Sequence, residues 1–133
     1  MTELFAYGTL RDAEYQRALF DRTVPTRPAT LTGWRVVVAE SGYFTVVRAT
    51  GDTVSGDLLT LDDAEVARAD AWEEVPLYQR VPVDVRTADG SALRAEVYVR
   101  PSAARERAPD GLLAGRSRQD VLAQIREFRL RNE

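Results

Sequence analysis

The stretch FAYGTL, residues 5–10, carries an apolar run to Tyr7, follows it at once with Gly8 and Thr9, and hands over to a helix-like segment near Leu10. A strand that passed straight into a helix would need no such residues. Glycine permits a sharp turn or the close approach of another group to the backbone, so the chain is expected to bend here beside an aromatic hydroxyl. A site is expected at that bend.

Outward from the turn, ELFAY reads as a short buried strand and RDAEYQRALF, with Ala13, Ala18 and Leu19 among charges, as an amphipathic helix. RTVPTRPAT, with its two prolines, reads as a loop, and LTGWRVVVA as a strand whose three valines predict burial on both faces. SGYFTVVRATGD reads as turn, short strand, turn, and TVSGDLLTL as a further strand in which Gly56 marks a bulge or a close backbone approach. DDAEVARADAWEE begins with aspartate caps and is predicted helical until Pro76 forbids continuation. Val81, Val83 and Val85 alternate along YQRVPVDVR, and Leu93, Ala95, Val97 and Val99 along ALRAEVYVR. The ADGS between them is a hairpin turn, and Pro82 puts the first strand at an edge or a bulge. Residues 101–116 read as an exposed loop and 117–131 as a C-terminal helix. Ser117 and Asp120 have capping-box spacing there, and Val121, Leu122, Ile125 and Phe128 form an apolar stripe. Three helices and about six strands, mostly antiparallel, make an α+β protein.

Composition limits the chemistry. With 133 residues, 44% of them hydrophobic, the chain suits one domain, residues 1–133. It lacks a long apolar run or a basic leader, which leads to the expectation of a soluble, cytoplasmic protein. Its 18 basic residues against 21 acidic ones create no field for phosphate backbones, so neither nucleic acid nor membrane is an expected partner. All 18 basic residues are arginine, and the sequence contains no Cys, His or Lys. Thiolate chemistry, a Ser-His-Asp triad, the usual zinc sites, Schiff bases and a Walker A loop are therefore excluded within this chain. Proton transfer near neutral pH falls to a carboxyl group with a raised pKa, or to a tyrosine.

One segment is electrostatically odd. Asp70, Glu73 and Glu74 crowd the last turn before Pro76, where the helix macrodipole is negative. The helix end, the neighbouring carboxylates and partial burial beside Trp72 each act to raise a carboxyl pKa, which would make a usable base of a glutamate. A solvated acidic face at a helix end is the alternative reading.

Taken together, these segments resemble the gamma-glutamylcyclotransferase-like superfamily, including its plant avirulence-induced branch. FAYGTL is similar to its aromatic-Ala-Tyr-Gly-Ser/Thr turn. Asp70 and Glu73 match its Asp-x-x-Glu pair, Tyr78 and Arg80 its Tyr-x-Arg, Val54, Gly56 and Leu58 its Val-x-Gly-x-Leu, and AEVYV at 95–99 its aromatic last strand. The resemblance covers about residues 3–100. Glu74 stands where the family usually has Gly, and Phe44 where it often has Pro. Register from Asp70 forward and from Tyr78 and Arg80 backward chooses Glu73 over Glu74. The resemblance implies a small mixed β-barrel with flanking helices and a pocket at the first turn. It also implies a Glu working without cofactor or metal.

On that resemblance, Glu73 would shuttle a proton while the α-amine of a γ-glutamyl compound closes on its own γ-carbonyl, releasing 5-oxoproline. Backbone N–H groups of Gly8, Thr9 and Leu10 would hold a carboxylate or oxyanion, Tyr7 would wall the pocket, and Tyr78 and Tyr98 would line it. Arg80 reads as a structural ion-pair residue. The expected partner is a small γ-glutamyl molecule. Two other readings stay open: a ligand-binding module of the same fold without turnover, and a biosynthetic enzyme that removes a γ-glutamyl protecting group.

Overall fold

Leu4, Phe5 and Ala6 are 2%, 1% and 5% exposed, so both faces of the first strand are covered. That strand, β1 (Thr2–Ala6), sets the architecture of the computed structural model, which describes residues 1–39, 44–73, 78–100, 104–105 and 118–131. The other strands are β2 (Thr26–Ala39), β3 (Phe44–Leu61), β4 (Gln79–Thr87), β5 (Ala92–Val99) and β6 (Ala104–Arg105). β1 runs antiparallel to the end of β3, from Thr2 opposite Leu61 to Ala6 opposite Asp57, and parallel to β5 at Leu4 and Glu96. β4 and β5 form the hairpin, β2 and β3 a longer one, and β2 joins β4 at Ala29–Thr87 and Thr30–Arg86. The order β3-β1-β5-β4-β2 returns to β3, closing a mixed five-stranded barrel, while β6 extends the far end of β2. With helices α1 (Ala13–Phe20), α2 (Asp63–Trp72) and α3 (Arg118–Arg131), this is an α+β fold.

Alternation divides the core in two. Phe5, Leu31, Val54, Leu58, Val85 and Val97 belong to the cluster inside the barrel. Leu4, Ala6, Leu59 and Leu61 point the other way and pack with α1, α2 and the predicted α3 stripe of Val121, Leu122, Ile125 and Phe128. Gly56 is the predicted close approach: a Cβ there would stand 2.7 Å from Phe5 Cζ and press on the Ala6 carbonyl oxygen. No helix among the described residues is long and apolar enough to cross a membrane.

Several expectations change. β2 begins at Thr26 rather than Leu31, and Pro28 sits within it opposite Asp57, because barrel closure needs the pairing more than the lost donor. The two strands expected within residues 42–61 are one. Gly51, at φ +91°, lies in β3, and Gly33, at φ +89°, lies at the register shift between Thr32 and Trp34, so these glycines kink a continuing ladder instead of ending it. The sequence before α1 forms a 3₁₀ turn, Thr9–Arg11, and Asp12 then caps α1 by accepting from Glu14 N–H. Within the expected 101–116 loop, Ala104 and Arg105 form a strand. The rest of that loop and the Ser117 cap lie outside the described residues.

The helices are fastened to one another by charge and ring contacts. Asp62 and Glu65 make a capping box at α2, and the Glu65 carboxylate also accepts from Arg22 at 2.7 and 2.8 Å. Arg129 of α3 donates to the Ala18 and Leu19 carbonyls at the end of α1. Phe128 meets Trp72 edge-on, with ring centroids 5.5 Å apart, so α3 buttresses the last residue of α2.

Gly56→Ala should cost about 1–3 kcal/mol through overpacking against Phe5. Chemical denaturation with matched m-values checks it; an unchanged midpoint would contradict this packing.

Candidate functional site

β1 delivers Tyr7 to the end of the barrel, and the 3₁₀ turn that follows is held from three directions. Arg11 N–H donates to the Gly8 carbonyl at 3.1 Å, and Arg11 Nε donates to Asp57 of β3 at 3.0 Å. Behind the turn, buried Gln16 of α1 donates to the Leu10 carbonyl at 2.8 Å and accepts from Val24 N–H at 3.1 Å. The Leu10 side chain is core, so only its backbone is offered to a ligand. Gly8 has φ −138°, not the positive φ that the turn allowed. What constrains it is space: an added Cβ would lie 3.3 Å from Phe44 Cδ2, a tight contact with the ring. The N–H groups of Thr9 and Leu10 precede Arg11, the donor that closes the turn on Gly8.

Beside this turn the structure brings Tyr7, Tyr78 and Tyr98 together with Glu73. Tyr7 donates its hydroxyl proton to the Tyr98 carbonyl at 2.6 Å. Tyr98 donates to Asp70 Oδ1 at 2.6 Å, and Tyr78 to the Phe44 carbonyl at 3.3 Å. Thr45, fully buried, accepts the Arg100 N–H at 2.9 Å, and its hydroxyl acts on Tyr7 in the sense that favours the phenolate. Glu73 closes the end of α2, its N–H donating to the Ala69 carbonyl at 2.8 Å, and its side chain is half-buried. Burial first, then the charge of Glu73, pushes the Tyr7 hydroxyl well above the ordinary phenol range. Burial, the bond to Asp70 and the Asp70 charge do the same for Tyr98, with Glu73 adding to them. Glu73 therefore lies within electrostatic reach of both hydroxyls.

The acidic helix end is compensated from the barrel. The last turn of α2 carries no basic residue. Arg80 of β4 instead grips Asp70 with two bonds, Nε at 3.0 Å and Nη2 at 3.2 Å, and donates to Glu96 of β5 at 2.7 Å. The Asp70 partnership raises the Arg80 pKa further, so the clamp stays charged. Asp70 is thus committed to Arg80 and Tyr98, which separates its role from that of Glu73. Glu74 lies outside the described residues. Thr45 was missed by the sequence reading, which met Phe44 only as a departure from the family pattern; a threonine in the strand-like run FTVV was the available signal. Among the described residues, no three carboxylates cluster closely enough to hold a metal ion.

The arrangement brings together a carboxylate, phenolic oxygens around it, and backbone N–H groups at the turn. The chain belongs to the gamma-glutamyl cyclotransferase, AIG2-like family, whose pattern matches residues 4–116. Protein AIG2 C of Arabidopsis thaliana is 32% identical over 99 residues, 72% of this chain; the match covers 59% of that relative, less than two thirds of its length. An Arabidopsis thaliana protein solved in solution superposes with a TM-score of 0.68 at 22% identity, covering 98% of this chain and 78% of its own. A gamma-glutamyl cyclotransferase structure gives 0.69 at 16% identity, covering 78% and 68%. At these identities the likeness is one of fold.

Because the folded state raises the Tyr7 and Tyr98 values, it holds both phenols neutral where an unfolded chain ionises them. Their contribution to stability is intact below the free value of about 10 and is lost as pH climbs above it. Following tyrosinate absorbance with pH should show Tyr98→Phe removing no amplitude from the folded-state transition near that value.

Proposed function

We propose that this chain is a cofactor-independent gamma-glutamylcyclotransferase acting on a γ-glutamyl amine or amino acid, with Glu73 as its general acid and base. The observation that carries this reading is the position of Glu73. It ends α2 within electrostatic reach of the buried hydroxyls of Tyr7 and Tyr98, beside the turn at Gly8. The family description and the fold-level likeness support it.

A γ-glutamyl compound carries its own nucleophile and electrophile at a separation that closes to a five-membered lactam. The protein need only fold it and move a proton. The Glu73 carboxylate accepts a proton from the α-ammonium group, and the freed amine attacks the γ-carbonyl carbon, forming the new C–N bond. N–H groups at Gly8, Thr9 and Leu10 stabilise the oxyanion or anchor the substrate carboxylate, with Tyr7, Tyr78 and Tyr98 around them. Collapse of the tetrahedral intermediate breaks the bond to the leaving amine. That amine takes the proton back from Glu73, and the restored carboxylate removes the surplus proton of the ring nitrogen and passes it to the departing amine, so 5-oxoproline and an ammonium leave with Glu73 ionised again. Asp70 and Arg80 act at one remove, by fixing the Tyr98 hydroxyl.

Glu73→Gln keeps the shape and removes the proton acceptor, so release of 5-oxoproline from a panel of γ-glutamyl amino acids and amines should fall on the order of 100-fold or more. Glu74→Gln should cost much less, and a strong chelator should leave turnover unchanged. Normal turnover by Glu73→Gln would defeat the assignment, and ligand binding without turnover by the native chain would leave a non-catalytic module.

A further inference from the structure

The three phenols around Glu73 share a property that their positions alone do not reveal. Each has its single proton committed to a group that can only accept. Tyr7 donates to the Tyr98 carbonyl at 2.6 Å, Tyr78 to the Phe44 carbonyl at 3.3 Å, and Tyr98 to the Asp70 carboxylate at 2.6 Å. Neither carbonyl can return a proton, and the Asp70 carboxylate, which also accepts two N–H donors of Arg80, takes the Tyr98 proton as an acceptor. The phenols therefore present oxygen lone pairs, not protons, to their surroundings.

A phenol oxygen has one proton and two acceptor sites. At Tyr7 the proton goes to the Tyr98 carbonyl at 2.6 Å, so towards any other group this oxygen can only accept, and it does so beside the charge of Glu73. A carboxylate and an oriented lone pair together suit a group with several N–H donors and a positive charge, and they disfavour a carbonyl, a carboxylate or an amide oxygen in the same place.

We propose that Tyr7 is the specificity residue that recognises a protonated primary amine. Its committed hydroxyl accepts one N–H of the ligand's ammonium group while Glu73 accepts another. This deepens the proposed activity and rests on the same site. It gives the Tyr-Gly turn a chemical division of labour, in which the tyrosine reads the cation and the N–H groups after the glycine face the anionic part. Ordering the ammonium against Glu73 also places its proton on the acceptor that must remove it, so recognition and the first step of the reaction use one geometry.

The test separates recognition from turnover by using ligands that cannot cyclise. One is the γ-sulfonamide analogue of a γ-glutamyl amide, which keeps the α-ammonium and has no γ-carbonyl to attack. The other is the same compound with hydrogen in place of the ammonium group. Calorimetry on the native chain should show the ammonium-bearing ligand bound roughly tenfold tighter or more, the scale of hydrogen bonds to a charged group. Tyr7→Phe should shrink that ratio several-fold, chiefly by weakening the ammonium-bearing ligand. Thr45→Val changes the surroundings of Tyr7 but keeps the phenol and its bond to the Tyr98 carbonyl, so it should preserve the ratio; it decides the matter should Tyr7→Phe fail to fold. Equal weakening of both ligands by Tyr7→Phe would make the ring a mere wall and overturn the proposal, as would a ratio lost in Thr45→Val. Turnover of γ-glutamyl substrates with no ammonium preference in binding would overturn this inference and leave the activity standing. Ammonium preference without turnover would do the reverse, and binding of neither ligand would defeat both.

Discussion

β1 is five residues long, yet it must satisfy two neighbours and cover two cores, and the rest of the fold depends on its doing so. Its backbone bonds β3 on one side and β5 on the other, the second pairing being the parallel seam that closes the barrel. Phe5 fills the barrel interior, while Leu4 and Ala6 face the helices. A strand this crowded tolerates no slip, because moving it by one residue would exchange the two faces. The absence of a side chain at Gly56 is part of the same constraint: β3 passes so close to β1 that Phe5 occupies the space a Cβ would take. Fixing β1 fixes where it ends, and it ends at Tyr7 and the turn.

The other half of the site arrives from α2, whose C-terminal end carries acid where the macrodipole opposes it. The compensation is not local. Arg80, ten residues further on and in β4, spans Asp70 and Glu96 and thereby ties the helix end to two barrel strands. Half-buried ion pairs of this kind contribute modestly to stability, but a bidentate arginine fixes direction. Here the direction matters: Asp70, held by Arg80, fixes the Tyr98 hydroxyl, and the Tyr98 backbone in turn receives Tyr7. A series of single bonds thus connects the Asp70–Arg80 pair to the turn at Gly8, and Glu73 closes the same helix end. From the opposite side, the Phe128–Trp72 contact lets α3, which lies beyond the residues that the family pattern matches, steady the residue before Glu73.

Much of this was legible from residue order. The alternating valines of β4 and β5, the ADGS turn, the α3 stripe and the Asp62 cap are local signals whose periods and turn chemistry need no partner to be read. The matches of Asp70, Glu73, Tyr78 and Arg80 to one family pattern, with FAYGTL ahead of them, marked the segments of the candidate site in advance. Where the reading failed, the cause was pairing. Pro28 looked like a loop residue, and Gly33 and Gly51 like turn residues, because a lone strand would end there; a partner strand bonded on both sides of the kink carries the ladder through.

By itself, then, the sequence determined which elements form, which of their faces are apolar, and which chemistry is available to a chain without Cys, His or Lys. Tertiary structure alone decided that the barrel closes on five strands, that Gly8 is crowded by the Phe44 ring and not held at a positive φ, and that buried Thr45 belongs with Tyr7. It also decided the direction of each phenolic proton. Propensity and periodicity are set by neighbours along the chain, whereas a hydroxyl turns toward whichever acceptor lies nearest in space. For Tyr7 that acceptor is the carbonyl of Tyr98, ninety-one residues away, and only folding brings the two to 2.6 Å.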